Sequence, residues 1–124
     1  MSDLEWYSVR CIFEHDDLAY ETETTVYEER IVILRAEGLD DAIVRGEAEA
    51  EEYTVSTGDA SIRYAGFIDA YRTGEKELRD GMEVYSLMRG TTLPEAEFIT
   101  RYYDDGTERS QRWSGPVSDH VTGA

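Results

Sequence analysis

A long strand followed by a helix, residues 26–53, constrains the fold of this chain most strongly. The strand spans about residues 25–36, and its centre, residues 31–34, is apolar at four consecutive positions, which is typical of a strand covered on both faces. The helix follows Gly38, and its apolar residues recur at the spacing of one helix face. They are Leu39, Ala42, Ile43, Gly46, Ala50 and Tyr53. These patterns predict a sheet with a helix packed on one face.

Three further segments alternate between apolar and polar residues, as half-buried strands do. They cover residues 6–14, 62–71 and 82–89. In the first of them, one face is wholly apolar and consists of Tyr7, Val9, Cys11 and Phe13. A second, short helix is expected from about Leu93 to Tyr103, because Thr92-Leu93-Pro94-Glu95 matches a capping box with proline in the first turn.

The element order is therefore β-β-α-β-β-α, which predicts an α+β fold. We expect a four-stranded antiparallel sheet with the strand order 2-1-3-4, because this order makes every neighbouring pair antiparallel. The main helix then packs on one face of the sheet. Residues 1–106 form a single domain in this interpretation, and residues 107–124 form a polar C-terminal tail that is either mobile or held by Trp113 alone.

The charge of the chain is its most extreme compositional property. Twenty-eight acidic residues and twelve basic residues give a formal net charge of −16, and the only lysine is Lys76. A dense carboxylate surface with little lysine is expected of a protein in concentrated salt, where the Debye length falls to about 3 Å at 1 M. The alternative is an acidic face for a basic partner. Either interpretation disfavours nucleic-acid binding, which requires clustered Lys and Arg.

The expected location is the cytoplasm. No apolar run approaches the roughly 20 residues that cross a bilayer, so no membrane association is expected. The first residues lack the basic and apolar regions of a secretory signal. Cys11, the one cysteine, cannot form an internal disulfide, which is consistent with a reducing compartment.

Four segments of the chain are similar to a known family. They are WYSVRCIFE from Trp6, YEERIVILRAEGLDDAIVRGEAEA from Tyr27, YAGFIDAY from Tyr64 and LRDGMEVYSLM from Leu78. Together they resemble a small prokaryotic family that is catalogued only as domain of unknown function 4288. The similarity covers about residues 6–89. It supports the fold but implies no activity and no active site.

No segment carries a catalytic, cofactor-binding or metal-binding motif. His15, Asp16 and Asp17 match no zinc or EF-hand spacing, and we interpret them as a solvated loop. Cys11 points toward the core and is interpreted as a buried structural thiol rather than a nucleophile. The glycines form no phosphate-binding loop. We therefore assign no catalytic residue, no cofactor and no metal ligand.

The sheet face away from the main helix is the most informative region for function. Its expected apolar residues are Trp6, Ile12, Tyr64, Ile68 and Tyr85. We expect the second helix, residues 94–103, to cover part of this face and a second subunit to cover the remainder. A ligand is the alternative, in a pocket between sheet and second helix lined by Trp6, Arg10, Tyr64, Tyr85 and Tyr102.

Three hypotheses about function follow. The first is a non-enzymatic protein-interaction module that acts as a homodimer in a high-salt cytoplasm, with a second copy or another protein as its partner. The second is a small-molecule-binding or hydrolytic domain that uses the pocket just described. The third is an immunity or antitoxin role in which the acidic surface masks a charged target.

Overall fold

A computed structural model describes residues 3–16, 25–56, 58 and 61–108 of the chain. The elements are β1 (Glu5–His15), β2 (Val26–Ala36), α1 (Leu39–Ser56), β3 (Ile62–Arg72) and α2 (Glu95–Tyr102). The predicted α+β class and the antiparallel sheet are confirmed. Among the described residues, no helix has both the length and the apolar character needed to span a membrane.

The chain divides into two units, residues 1–87 and residues 88–124. The first contains the sheet and α1, and the second contains α2. The predicted domain boundary at residue 106 stays a prediction. Of the predicted tail, residues 109–124 lie outside the described part of the chain.

The sheet has three strands in the order β2-β1-β3, so β1 is central and both of its neighbours are antiparallel to it. β1 and β2 pair without interruption from Glu5 opposite Ala36 to His15 opposite Val26. The pairing of β1 with β3 contains a bulge, where Gly66 adopts a φ of 86°. Glycine takes this left-handed conformation without the steric cost that a Cβ atom would add.

The core lies between β1 and α1. Four alternate residues of β1 are buried there, namely Tyr7, Val9, Cys11 and Phe13. Helix α1 contributes small residues at the facing positions, Ala42, Gly46 and Ala50, so its backbone lies close to the sheet. Complete burial of a large apolar side chain such as Phe13 stabilises the fold by about 1.5–3 kcal/mol.

The predicted fourth strand is not confirmed. Residues 82–89 form neither helix nor strand, so the described sheet has three strands rather than the four of the predicted order. Residues 83–85 instead contact the sheet face opposite α1. Ser8 on that face is completely buried, and its hydroxyl donates a hydrogen bond to the backbone carbonyl of Val84. A buried hydroxyl requires such a bond, and a side-by-side fourth strand would not supply it.

Helix α2 begins later than the capping box predicts. Its N-cap residue is Pro94, which makes no side-chain capping bond, and the helix starts at Glu95. Within this second unit, the Phe98 ring packs against the rings of Tyr102 and Tyr103, with centroids 5.1 and 5.7 Å away. The Arg89 guanidinium lies 4.6 Å from the centre of the Tyr102 ring.

Candidate functional site

The sheet face that points away from α1, here called the second face, consists of two differently covered parts. From β1 it carries Trp6, Ser8, Arg10, Ile12 and Glu14, which alternate with the core residues. Over β1 and β3, residues 83–85 contact the sheet through Ser8, Arg10, Asp69 and Tyr71. Over β2 the face stays exposed. The two parts therefore have different roles.

Arg10 is the central charged residue of the covered part. Its Nη1 atom donates to Glu29 Oε2 on β2 at 2.8 Å, and Nη2 donates to Asp69 Oδ2 on β3 at 2.9 Å. The guanidinium lies 5.1 Å from the centre of the Tyr85 ring and 5.9 Å from that of Phe67. Only 16% of the side chain is exposed. Arg10 thus links all three strands instead of presenting a free cation to a ligand.

Tyr85 covers this cluster from the segment after β3. Its hydroxyl donates to Asp69 Oδ2 at 3.2 Å, and its ring packs against Tyr71 at 5.6 Å. Burial and the negative charge of Asp69 both raise the pKa of Tyr85. For Arg10, burial works to lower the pKa, but the hydrogen bonds to Asp69 and Glu29 outweigh it, so the pKa is raised. Arg10 therefore stays charged and Tyr85 neutral at ordinary pH, as a structural cluster requires.

Trp6 lies at one end of the second face, where it pairs with Arg35 on β2. The Arg35 guanidinium is 5.0 Å from the centre of the Trp6 ring, within the range of a cation–π interaction. Arg35 itself is exposed. The contact places a positive charge beside the uncovered part of the face.

The uncovered part is an apolar strip on β2, here called the open strip, that consists of Tyr27, Ile31 and Ile33. Their exposed fractions are 63%, 48% and 41%. Ile33 pairs with Ser8, and Ile31 pairs with Arg10, so both lie on the second face. Isolated exposed apolar residues are common, but two β-branched residues two positions apart on one strand face form a continuous surface.

The outer edge of β2 borders the open strip. Within the described part of the chain, β2 pairs only with β1, so the backbone groups on its other side have no strand partner. Such an edge is a template for pairing with another strand. β2 is 11 residues long and contains neither proline nor lysine, two residues that commonly prevent edge pairing. The open strip and this edge form one continuous candidate surface.

Tyr64 lies on the α1 side of the sheet, whereas the sequence analysis placed it on the second face. Its ring packs against Phe13 with centroids 5.8 Å apart, and its hydroxyl lies 3.4 Å from Glu47 Oε2 on α1. Ile68 lies on the same side, close to Gly46. Arg10 and Tyr85 thus contact each other on the second face, Trp6 lies at one end of that face, and Tyr64 lies on the opposite side of the sheet. Tyr102 is on α2, in the other unit.

The pairing with β1 sets which residues of β3 face α1. Ile68 is opposite Cys11 and Tyr64 is opposite Phe13, so both share the side of the core. The alternation within β3 did not show which of its faces packs against α1, because both faces carry apolar residues. The charged residue Asp69 was the available signal, since it shares the second face with Phe67 and marks that face as the partly solvated one.

His15 is not part of a solvated loop, which corrects that prediction. It is the last residue of β1, it is 8% exposed, and its Nε2 atom lies 2.8 Å from Glu28 Oε1. The Tyr53 hydroxyl donates to the same oxygen at 2.9 Å. Asp16 is exposed, and Asp17 lies outside the described residues. His15 lies two positions after the buried Phe13, so the alternation along β1 places both side chains on the core side of the sheet. This spacing was the sequence signal for the burial of His15.

His15, Glu28 and Tyr53 belong to a second polar cluster, which lies between β2 and α1. Arg30 donates to both carboxylate oxygens of Glu49 at 2.7 and 2.8 Å, and its guanidinium lies 3.9 Å above the Tyr53 ring. The hydrogen bond to Glu49 raises the pKa of Arg30 despite burial. His15 and Tyr53 both bind Glu28. The cluster fastens α1 to β2.

Among the described residues, two of the surface depressions are large enough to consider as ligand sites. One, of about 430 Å³, lies beside the start of α1 and is lined by Asp3, Glu5, Tyr7, Glu37, Gly38, Leu39, Arg72 and Lys76. The other, of about 640 Å³, lies along α2 in the second unit. None of the five residues predicted for a ligand pocket lines either depression.

The fold and this surface define a small α+β domain with an open-edged antiparallel sheet. Residues 6–86, more than half of the chain, match the family described as Domain of unknown function (DUF4288), and the chain belongs to this family. No curated protein gives a significant match, and no solved structure does.

Proposed function

We propose that this chain is a non-enzymatic protein-interaction module that acts as a homodimer in a high-salt cytoplasm. The exposure of Ile31 and Ile33 on an edge strand is the observation that carries this proposal. Removal of apolar surface from water contributes about 25 cal/mol per Å², so a partner that covers these side chains gains free energy. A homodimer requires that the same surface of both copies be self-complementary.

The distribution of charge supports contact through β2. The chain has a formal net charge of −16, but β2 carries two acidic residues, Glu28 and Glu29, and two basic residues, Arg30 and Arg35. The strand is therefore electrically balanced on a strongly acidic protein. Contact through β2 brings together a region without a local excess of negative charge, unlike most of the surface.

Concentrated salt removes the remaining repulsion between two acidic copies. At about 1 M salt the Debye length is about 3 Å, so carboxylates outside the contact surface interact only weakly. The hydrophobic contribution of Ile31 and Ile33 is not screened by salt. A cytoplasm rich in potassium is thus the environment in which this surface functions as an interface.

The small-molecule alternative gains no support from Arg10, which is the most suitable residue of the predicted pocket. Both of its terminal nitrogens bind carboxylates, and aromatic rings lie beside the guanidinium. An anionic ligand would have to displace Glu29 or Asp69. Arg10 is better suited to support the sheet beneath the covering segment.

Light scattering in about 1 M KCl tests the homodimer. The expected mass is twice the chain mass of 14.2 kDa. Ile31→Asp should shift the mass toward the monomer, because it places a charge in the open strip. The matched control is Val44→Asp, which changes a residue on the outer side of α1 that is 67% exposed and should leave the mass unchanged. A monomer at all concentrations refutes the homodimer.

A further inference from the structure

The backbone groups of β2 that face outward can be identified from the other side of the sheet. The Trp6 N–H donates to the Glu75 carbonyl at 2.8 Å, and the Trp6 carbonyl accepts from the Thr73 N–H at 3.2 Å. Trp6 therefore directs both backbone groups toward the β3 side. Successive residues alternate in direction, so Tyr7 directs its groups toward β2, where Leu34 is its partner.

The same alternation continues along β2. Since Leu34 directs its backbone groups toward β1, Val32 does so too, and Ile31, Ile33 and Arg35 direct theirs to the outer edge. The residues with outward backbone groups are thus also the residues on the second face. An added strand would bind this edge through them and would extend the open strip.

The second-face residues of β2 are self-complementary about Val32. One residue away on each side lies an isoleucine, Ile31 or Ile33, and three residues away lie opposite charges, Glu29 and Arg35. A two-fold axis through Val32 sets each residue opposite the one at the same distance on the other side. On the second face, this register sets isoleucine opposite isoleucine and Glu29 opposite Arg35. On the α1 side, Arg30 faces Leu34 of the partner subunit and Glu28 faces Ala36 of the partner subunit, without complementary charge.

We infer that two copies of the chain pair their β2 strands antiparallel about a two-fold axis at Val32, with Ile31 opposite Ile33 and Glu29 opposite Arg35 of the partner subunit. This inference rests on the proposed homodimer and specifies its interface. It joins the two sheets into one continuous six-stranded sheet by edge pairing. The isoleucines of both copies then form one apolar surface on the second face.

Other registers are less complementary. An axis at Ile31 sets Glu29 opposite Ile33 and Arg35 opposite Tyr27, so neither charged residue of the second face meets an opposite charge. An axis at Ile33 sets Glu29 opposite Glu37, and like charges in directly opposed positions destabilise a sheet. An axis between two residues would set each residue with outward backbone groups opposite one whose backbone groups point toward β1, so the two strands could not form a regular hydrogen-bond ladder. Of these registers, the one about Val32 combines backbone hydrogen bonding with opposed isoleucines and opposite charges on the second face.

Glu29 and Arg35 are available for this pairing. The Glu29 side chain is 54% exposed, and its Oε2 atom binds Arg10, while a carboxylate has capacity for further donors. Arg35 is exposed and lies with its guanidinium over Trp6. These contacts hold both charged side chains at the edge. The outward Arg35 carbonyl already accepts a hydrogen bond from Arg45 Nη1 at 2.7 Å, and its second lone pair stays available to the other copy.

Charge exchange tests the inferred pairing. Glu29→Arg or Arg35→Glu alone sets like charges opposite each other at two places in the dimer, so we expect each to weaken dimerisation about tenfold. The double variant restores opposite charges across the interface and should bind more tightly than either single variant, while still lacking the bond between Glu29 and Arg10 within each copy. Sedimentation equilibrium measures all four proteins at moderate salt. If the double variant is no tighter than the weaker single variant, this register is refuted.

Disulfide crosslinking tests the position of the axis. Directly opposed residues without mutual hydrogen bonds have Cα atoms about 4.5 Å apart, which a disulfide can span. Val32→Cys should therefore form a covalent dimer under mild oxidation. Leu34→Cys is the matched control, because it lies on the same side of β2 but would be about 14 Å from its copy. The parent chain, whose Cys11 is buried, controls for other crosslinks.

The outcomes separate this inference from the proposed function. A dimer by light scattering in which Leu34→Cys crosslinks as well as Val32→Cys, or neither does, overturns the register but leaves the homodimer. A monomer overturns both. If Val32→Cys does not fold, as judged by circular dichroism, the charge-exchange series decides the register.

Discussion

Gly46 on α1 lies directly against Val9 on β1. A Cβ atom at position 46 would lie 2.6 Å from Val9 Cγ1 and 2.9 Å from Ile68 Cδ1. The glycine therefore sets the distance between helix and sheet. This close approach explains why a residue with poor helix propensity lies in the middle of the main helix, on its buried side.

Gly46→Ala should destabilise the domain. Alanine improves helix propensity by about 1 kcal/mol, but overpacking a core typically costs about 1–3 kcal/mol, and Val9 is a stiff β-branched residue in the centre of the sheet. We expect a net loss of about 1–2 kcal/mol in urea unfolding. Gly38→Ala is the control, because no atom lies within 4 Å of a Cβ placed there. Equal stability of the two variants would show that α1 is not closely packed at Gly46.

Loss of the Tyr85 hydroxyl should weaken the cover over the second face. Tyr85→Phe keeps the ring beside Arg10 but removes the hydrogen bond to Asp69, and a typical bond of this kind contributes about 0.5–1.5 kcal/mol. Tyr103→Phe removes a hydroxyl from an exposed ring and serves as the control. Denaturant midpoints compare the two variants. If Tyr85→Phe is as stable as Tyr103→Phe, residues 83–85 do not bind the sheet as described.

Stability should fall at alkaline pH, in part because of Tyr64. Burial, followed by the negative charges of Cys11 and Glu47, raises the pKa of Tyr64 from 10.0 to about 12. A raised pKa means that the folded state favours the neutral phenol. The resulting contribution to the free energy of unfolding is fully present below pH 10 and is lost as the pH rises through about 12.

Tyr64→Phe should therefore flatten the decrease in stability above pH 10. Thermal unfolding of the parent and the variant across this range measures the difference. Burial also raises the pKa of Cys11, so some alkaline destabilisation should remain in the variant. Identical pH profiles for parent and variant would count against the raised pKa of the partly buried Tyr64 hydroxyl.

The melting temperature should increase with KCl concentration. A chain with a formal net charge of −16 is destabilised by repulsion among its own carboxylates, and salt screens this repulsion. The increase should be smaller near pH 4.3, the isoelectric point of the sequence, where the net charge is close to zero. A melting temperature that is unchanged or lower in KCl at neutral pH would refute the adaptation to high salt.

The sequence contained most of the information about the β1–β2–α1 part of the fold. Its alternation and helical spacing are regular because each element buries one clear face. The predicted fourth strand was not confirmed because alternation describes which side chains are covered, not which neighbour covers them. Residues 83–85 alternate as a strand does, yet they contact the sheet face through Ser8 and Asp69.

The candidate site was only partly predictable for a related reason. Arg10 and Tyr85 are in contact on the second face and Trp6 lies on the same face, whereas Tyr64 required the pairing with β1 to be placed. Residues 31–34 are all apolar, which predicts a strand covered on both faces, so the sequence did not indicate that Ile31 and Ile33 are exposed. Only the three-dimensional arrangement separates the covered side of β2 from its open strip.

Amide hydrogen exchange on β2, measured in about 1 M KCl at several protein concentrations, tests most directly whether its edge is an interface. The amides of Ile31 and Ile33 point outward, and those of Val32 and Leu34 point toward β1 and serve as internal controls. We expect exchange at Ile31 and Ile33 to slow as concentration rises, while the controls stay protected throughout. Fast exchange at Ile31 and Ile33 at every concentration would show that this edge stays unpaired and that the module does not associate through β2.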